Sequence, residues 1–148
     1  MLDKKDHKIK DFSFKSMLES GIIIMIIPLV YFLFQGVGIN SMPLYIFTGI
    51  TISHLYKMWL IYDEVTKNNN KEEYKKVAKQ TKTTVLVFSV ITFILILLAL
   101  IGIFFSEEII VDEELKVAFI FEIILISSIL LVSLRITNNL YDRLFEGK

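Results

Sequence analysis

Long apolar runs alternate with short charged segments along this chain, and this pattern predicts its elements. Four runs, at residues 17–34, 43–61, 84–105 and 115–136, are close to the roughly 20 helical residues that a bilayer core of about 30 Å requires. The third and fourth runs are almost continuously apolar, whereas polar residues interrupt the first two. We therefore predict an all-α, polytopic membrane protein built as a four-transmembrane-helix bundle.

Short polar segments join these predicted spans. Glycine, asparagine and serine after residue 34 favour a tight turn, and the acidic connection after residue 105 is equally short. Residues 63–83 contain good helix formers and neither glycine nor proline, so we expect a helical hairpin there with its turn at Asn68 to Asn70. The predicted transmembrane domain, 17–137, is preceded by an amphipathic interfacial segment, 1–16, and followed by a tail, 138–148.

Basic residues orient the predicted bundle. Lysine and arginine are concentrated in the first 16 residues, in the 63–83 hairpin and near the end of the chain, and Lys116 is the exception beside the two short turns. Because cytoplasmic loops carry the excess of lysine and arginine, both termini and the hairpin are expected in the cytoplasm. The expected location is the bacterial inner (plasma) membrane, with the lipid bilayer as the first partner.

Composition narrows the chemistry. The chain has 148 residues, of which 54% are hydrophobic, a formal net charge of zero and no cysteine, which excludes disulfides, thiolate metal sites and cysteine nucleophiles. Its two histidines lie in different environments, and we find no His-Glu-x-x-His motif and no convergent pair of acids within the spans. We therefore expect no enzyme activity, no cofactor and no metal site.

Polar residues within the apolar runs are the candidates for lining or gating a pore. Glu122 lies about a third of the way into the fourth run, where a carboxylate is costly unless it faces protein or water. Helical spacing places it on one side with Ser133. His54 follows a run of hydroxyl residues that includes Thr51, and such a cluster can be a proton-sensitive gate or polar glue between helices. Both interpretations remain open for each residue.

A basic face is predicted on the hairpin. Lys75, Lys79 and Lys82 recur at spacings of four and three, so they share one helix face, with Lys76 adjacent. In an oligomer this face would hold a nucleotide, an oligonucleotide or an anionic lipid headgroup. In a monomer it is an orientation signal and a lipid anchor.

In size, predicted topology and the basic segment from Lys75 to Lys82, the chain resembles the small four-helix membrane effectors encoded beside nucleotidyltransferases in bacterial anti-phage systems, of which the Hailong type is one. The resemblance covers the whole chain as architecture and rests on no diagnostic motif. It implies a homo-oligomeric ion channel that a nucleic-acid signal keeps closed at its cytoplasmic face.

The function expected from the sequence is thus a homo-oligomeric pore that perturbs the membrane in anti-phage defence. Two alternatives share its size and hydropathy pattern. One is a membrane-embedded immunity protein against a bacteriocin or toxin, and the other is an accessory subunit of a larger membrane complex.

Overall fold

A computed structural model describes residues 42–105 and 113–147 of the chain, without the side chains of 103–105 and 113–115, together with seven positions from Phe12 to Ile26. Three helices make up the continuous part: α1 (Met42–Asn68), α2 (Lys71–Phe105) and α3 (Glu113–Phe145). The seven earlier positions are helical as well. The all-α prediction is therefore confirmed for the described residues.

A two-residue turn joins α1 to α2 at the asparagine run. Asn69 adopts a left-handed backbone conformation with a φ of 50°, which asparagine tolerates better than most residues, and its amide donates to the carbonyl of Val65 over 2.9 Å. The first turn of α2 contains Glu72 and Glu73, whose charges favour a helix N-terminus. α2 begins at Lys71 and continues for 35 residues, a length of about 52 Å.

The helices pack against one another through two separate apolar clusters. The first cluster consists of Leu44, Ile96, Phe119, Ile123, Ile126 and Leu130. The second cluster, nearer the α1–α2 turn, consists of Met58, Ile61, Val65, Tyr74, Ala78 and Leu144. Phe12 contacts the second cluster, with its ring edge-on to Tyr74 at a centroid distance of 5.1 Å. Each cluster takes residues from all three helices, so the three helices pack together at both places.

The outward faces of α2 and α3 are as apolar as their core. Within the described residues, Lys71–Gly102 and Lys116–Phe145 are long and apolar enough to cross a membrane, yet only 22% and 28% of their most apolar windows are buried. A core helix of a soluble protein would be mostly buried. Large hydrophobic side chains stand exposed instead, including Leu86, Val90, Ile94, Leu97, Leu98 and Ile101 on α2 and Val117, Phe121, Ile124, Leu125, Leu131 and Val132 on α3.

The prediction of a four-transmembrane-helix bundle is wrong, because only two helices in the described part of the chain qualify as candidate spans. These two contain the predicted runs 84–105 and 115–136. The run at 43–61 forms α1, a continuous helix, but His54, Lys57 and several hydroxyl residues lower its apolar character. The remaining run, 17–34, and the segment 1–16 lie outside the described residues, apart from the seven positions noted above.

Adjacent leucines on α3 test this packing. Leu130 is fully buried in the first cluster, whereas Leu131 is 58% exposed. We expect Leu130→Ala to lower the free energy of unfolding by about 2–5 kcal/mol, because it leaves a cavity between helices. The matched Leu131→Ala variant leaves no cavity and should lower it by less than about 1 kcal/mol. Loss of helicity during titration with a denaturing detergent measures both. Equal effects would contradict the described core.

Candidate functional site

Between the two apolar clusters, the buried positions of all three helices are occupied by hydroxyl residues, apart from Gly49 and Val85. None of these hydroxyl residues is more than 4% exposed. We call this set the hydroxyl layer: Thr48, Thr51 and Ser53 on α1, Thr81, Ser89 and Thr92 on α2, and Ser133 and Thr137 on α3. Between the two apolar clusters, the helices are therefore mostly polar where they face one another, whereas the outward faces of α2 and α3 are apolar.

Most hydrogen bonds of the layer stay within one helix. Five of its hydroxyls donate to a carbonyl three or four residues earlier over 2.7–3.0 Å, namely those of Thr48, Thr51, Ser53, Thr81 and Thr92. The buried hydroxyl oxygens of Ser89 and Thr137 have no partner among the described residues. Polar glue that bonds across helices was one expectation for this region. The described hydroxyl bonds instead follow the back-bonding typical of serine and threonine within helices.

Glu122 lies on α3 between residues of the first cluster, next to Ile123. Its carboxylate oxygen Oε1 is buried and has no hydrogen-bond partner among the described residues. An enclosed carboxylate oxygen in an apolar segment requires a polar partner. Ser133, which helical spacing placed on the same side as Glu122, is buried on this helix, as is Thr137. Glu122 is nevertheless about 16 Å along the axis from Ser133.

The four candidates for a pore therefore fall into three places. Thr51 and Ser133 both belong to the hydroxyl layer, and Glu122 lies beyond it among apolar residues. His54 lines a cleft on the surface between α1 and α2. The acidic connection after residue 105 lies outside the described residues at 106–112.

The cleft between α1 and α2 has a volume of about 560 Å³ and is basic. α1 contributes His54 and Lys57, and α2 contributes Lys76, Lys79 and Thr84. We call it the basic cleft. It contains only two of the four predicted ligand lysines, and it adds Lys57 from α1. The spacing of lysines along α2 could not predict that a lysine from another helix would join them.

The other two predicted lysines have partners elsewhere. The ammonium of Lys82 lies 3.2 Å from a carboxylate oxygen of Asp142 and 4.4 Å from the centre of the Tyr141 ring, so it ties α2 to α3. Lys75 lies 4.0 Å from the carboxylate of Glu72 on its own helix. The predicted four-lysine face is thus divided between ion pairs and the basic cleft.

His54 is held in one orientation at the edge of the cleft. Its Nδ1 lies 2.9 Å from the carbonyl oxygen of Ile50, and because a carbonyl only accepts, Nδ1 carries the hydrogen and Nε2 is left as an acceptor. The ring stacks on Phe88 at a centroid distance of 6.4 Å. Burial lowers the pKa of His54; the bond to Ile50 opposes this shift, and the charge of Lys57 adds to it. Burial also lowers the pKa of Lys57.

No protein-family model, curated protein or solved structure matches this chain. The resemblance to four-helix anti-phage effectors stays a prediction, and the four-span architecture on which it rested is not what the described residues form. Functional conclusions therefore depend on the hydroxyl layer, on Glu122 and on the basic cleft.

The lowered pKa of His54 makes stability depend on pH. Below about pH 6.5, the ordinary value for histidine, the unfolded chain binds a proton that the folded chain excludes, so the free energy of unfolding should fall as the pH is lowered. His54→Gln should remove this dependence between pH 7.5 and 5.5, and His7→Gln, which changes the other histidine, should retain it. Thermal unfolding in detergent measures both. A wild-type slope unchanged in His54→Gln would contradict the assignment.

Proposed function

We propose that the protein crosses the bacterial plasma membrane with α2 and α3 as an antiparallel hairpin. The exposed apolar faces of both helices support this placement, because apolar surface is unfavourable in water and is well solvated by lipid tails. Charge supports the orientation. Six lysines precede or begin the apolar part of α2, from Lys67 to Lys82, and Arg135 and Arg143 lie at the end of α3, so both helices have their basic ends on the cytoplasmic side.

Within this frame we propose that several copies form an ion-conducting pore. The hydroxyl layer is the observation that carries this proposal, because its eight hydroxyl residues would give a water-filled path a polar lining if the helices separated. Serine and threonine are also common where membrane helices only pack. The half-buried side chain of Glu122, with one carboxylate oxygen buried and without a described partner, adds a group that attracts cations. Since the layer is closed within one chain, conduction requires an assembly in which these faces separate around a shared axis.

The absence of cysteine from the chain allows a direct test. In a conducting assembly, Ser89→Cys and Ser133→Cys should react with a water-soluble methanethiosulfonate reagent, because the reactive thiolate forms only where water reaches. Val90→Cys and Val132→Cys are the matched controls, since their parent side chains are exposed on the outward faces. In a bilayer these should react at least about tenfold more slowly. Conducting protein with unreactive cysteines at 89 and 133 would exclude the layer as the lining.

A second function is favoured by the bonding within the layer. Five of its hydroxyls already donate hydrogen bonds to carbonyls of their own helices. This bonding suits a helix interface that stays closed. In that case the outward apolar faces would bind a membrane partner, as an immunity protein against a toxin or an accessory subunit does.

Expression in bacteria separates these two functions. A pore should depolarise the cells within minutes of induction, as a potential-sensitive dye reports, and Glu122→Gln should reduce this effect by removing a charge from the conducting region. Glu146→Gln, an exposed residue after α3, is the matched control and should depolarise like the wild type. An intact membrane potential at equal expression would favour the partner-binding function.

A further inference from the structure

The basic cleft contains three lysines that have no carboxylate partner among the described residues. Lys67, Lys75 and Lys82 each lie within 4.0 Å of a carboxylate oxygen. Lys57 and Lys79, by contrast, have no carboxylate at that distance among the described residues, and neither does Lys76 in the same cleft. Positive charges gathered in one concave surface create a potential that attracts an anion.

The polar groups of the cleft suit a phosphate group. Lysine ammonium groups bind phosphate oxygens as point charges with three donors each. The Nε2 atom of His54 is an acceptor, so it can bind a hydroxyl group carried by the same ligand. A volume of about 560 Å³ lies within the range of pockets for small molecules. The ligand class is therefore a phosphate ester with a hydroxylated substituent.

The position of the cleft distinguishes a lipid from a dissolved ligand. Along α2, the lining residues Lys76, Lys79 and Thr84 directly precede the apolar part of the span. On α1, Trp59 is 53% exposed and stacks with Tyr56 at a centroid distance of 6.2 Å, and such aromatic residues concentrate at membrane interfaces. The cleft thus lies where the headgroups of the cytoplasmic leaflet would be.

We propose that the basic cleft is a binding site for the headgroup of an anionic phospholipid, with Lys57, Lys76 and Lys79 on the phosphate. This inference rests on the membrane placement of α2 in the proposed function, but it does not require a pore. A free phosphate compound has the same charged group, and the experiment distinguishes the two sources.

Native mass spectrometry of the full chain in a non-ionic detergent measures lipid binding directly. With equal amounts of phosphatidylglycerol and phosphatidylcholine, the wild type should retain phosphatidylglycerol preferentially. Each lysine near an anionic headgroup accounts for a roughly fivefold change in affinity, so Lys76→Gln with Lys79→Gln should weaken phosphatidylglycerol binding by about 25-fold. The matched control is Lys67→Gln with Lys75→Gln, which removes the same charge from lysines that have carboxylate partners, and it should bind like the wild type. Both pairs are on exposed positions, and circular dichroism checks that the helices remain.

Three outcomes would overturn the proposal. Equal retention of both lipids by the wild type excludes an anionic headgroup site, and equal loss in the two double variants shows that only net charge matters. Inorganic pyrophosphate that binds the wild type through Lys76 and Lys79, without a preference for phosphatidylglycerol over phosphatidylcholine, assigns the cleft to a dissolved phosphate compound. Failure of the pore is a separate result, because it appears as an intact membrane potential while lipid binding persists.

Discussion

The structure depends on how polar and apolar side chains are distributed around α2 and α3. α2 and α3 expose large hydrophobic side chains along their outward faces, while most buried positions between the two apolar clusters of their core are hydroxyl residues. A water-soluble helical protein has polar outward faces instead. In hydrocarbon the outward faces are solvated, and each helix satisfies its own backbone hydrogen bonds. Hydroxyls that bond to carbonyls of the same helix can then be buried at little further cost.

The lysines at the basic end of the molecule have two roles, because one pairs with an acid on another helix and others line the basic cleft. Lys82 links α2 to α3 through Asp142 and packs on Tyr141, so its charge helps to hold the two helices at the register seen in the core. Lys76 and Lys79 lie on the same stretch of α2 but face α1 and line the basic cleft. One segment therefore anchors the hairpin with one face and presents an anion-binding surface with another, since successive residues of a helix point in different directions.

α1 shows why a sequence pattern overestimated the number of spans. Its apolar run is long enough to span a bilayer. However, Thr48, Thr51 and Ser53 belong to the hydroxyl layer, and His54 and Lys57 line the basic cleft. The helix is thus polar on two sides, and its apolar residues serve mainly to pack against α2 and α3. The length of the apolar run correctly predicted a helix, but the mean hydropathy of that helix falls below what a membrane span requires.

By itself, the sequence determined the helical class, the turn at the asparagines and the two strongly apolar helices, because each follows from local composition and from the spacing of apolar residues. Only the tertiary structure decided which lysines are paired with acids, that Lys57 joins Lys76 and Lys79, and that hydroxyl residues far apart in sequence form one layer. These features depend on the register between antiparallel helices. That register is set by the packing of the two apolar clusters and by the Lys82–Asp142 ion pair, which no single helix contains.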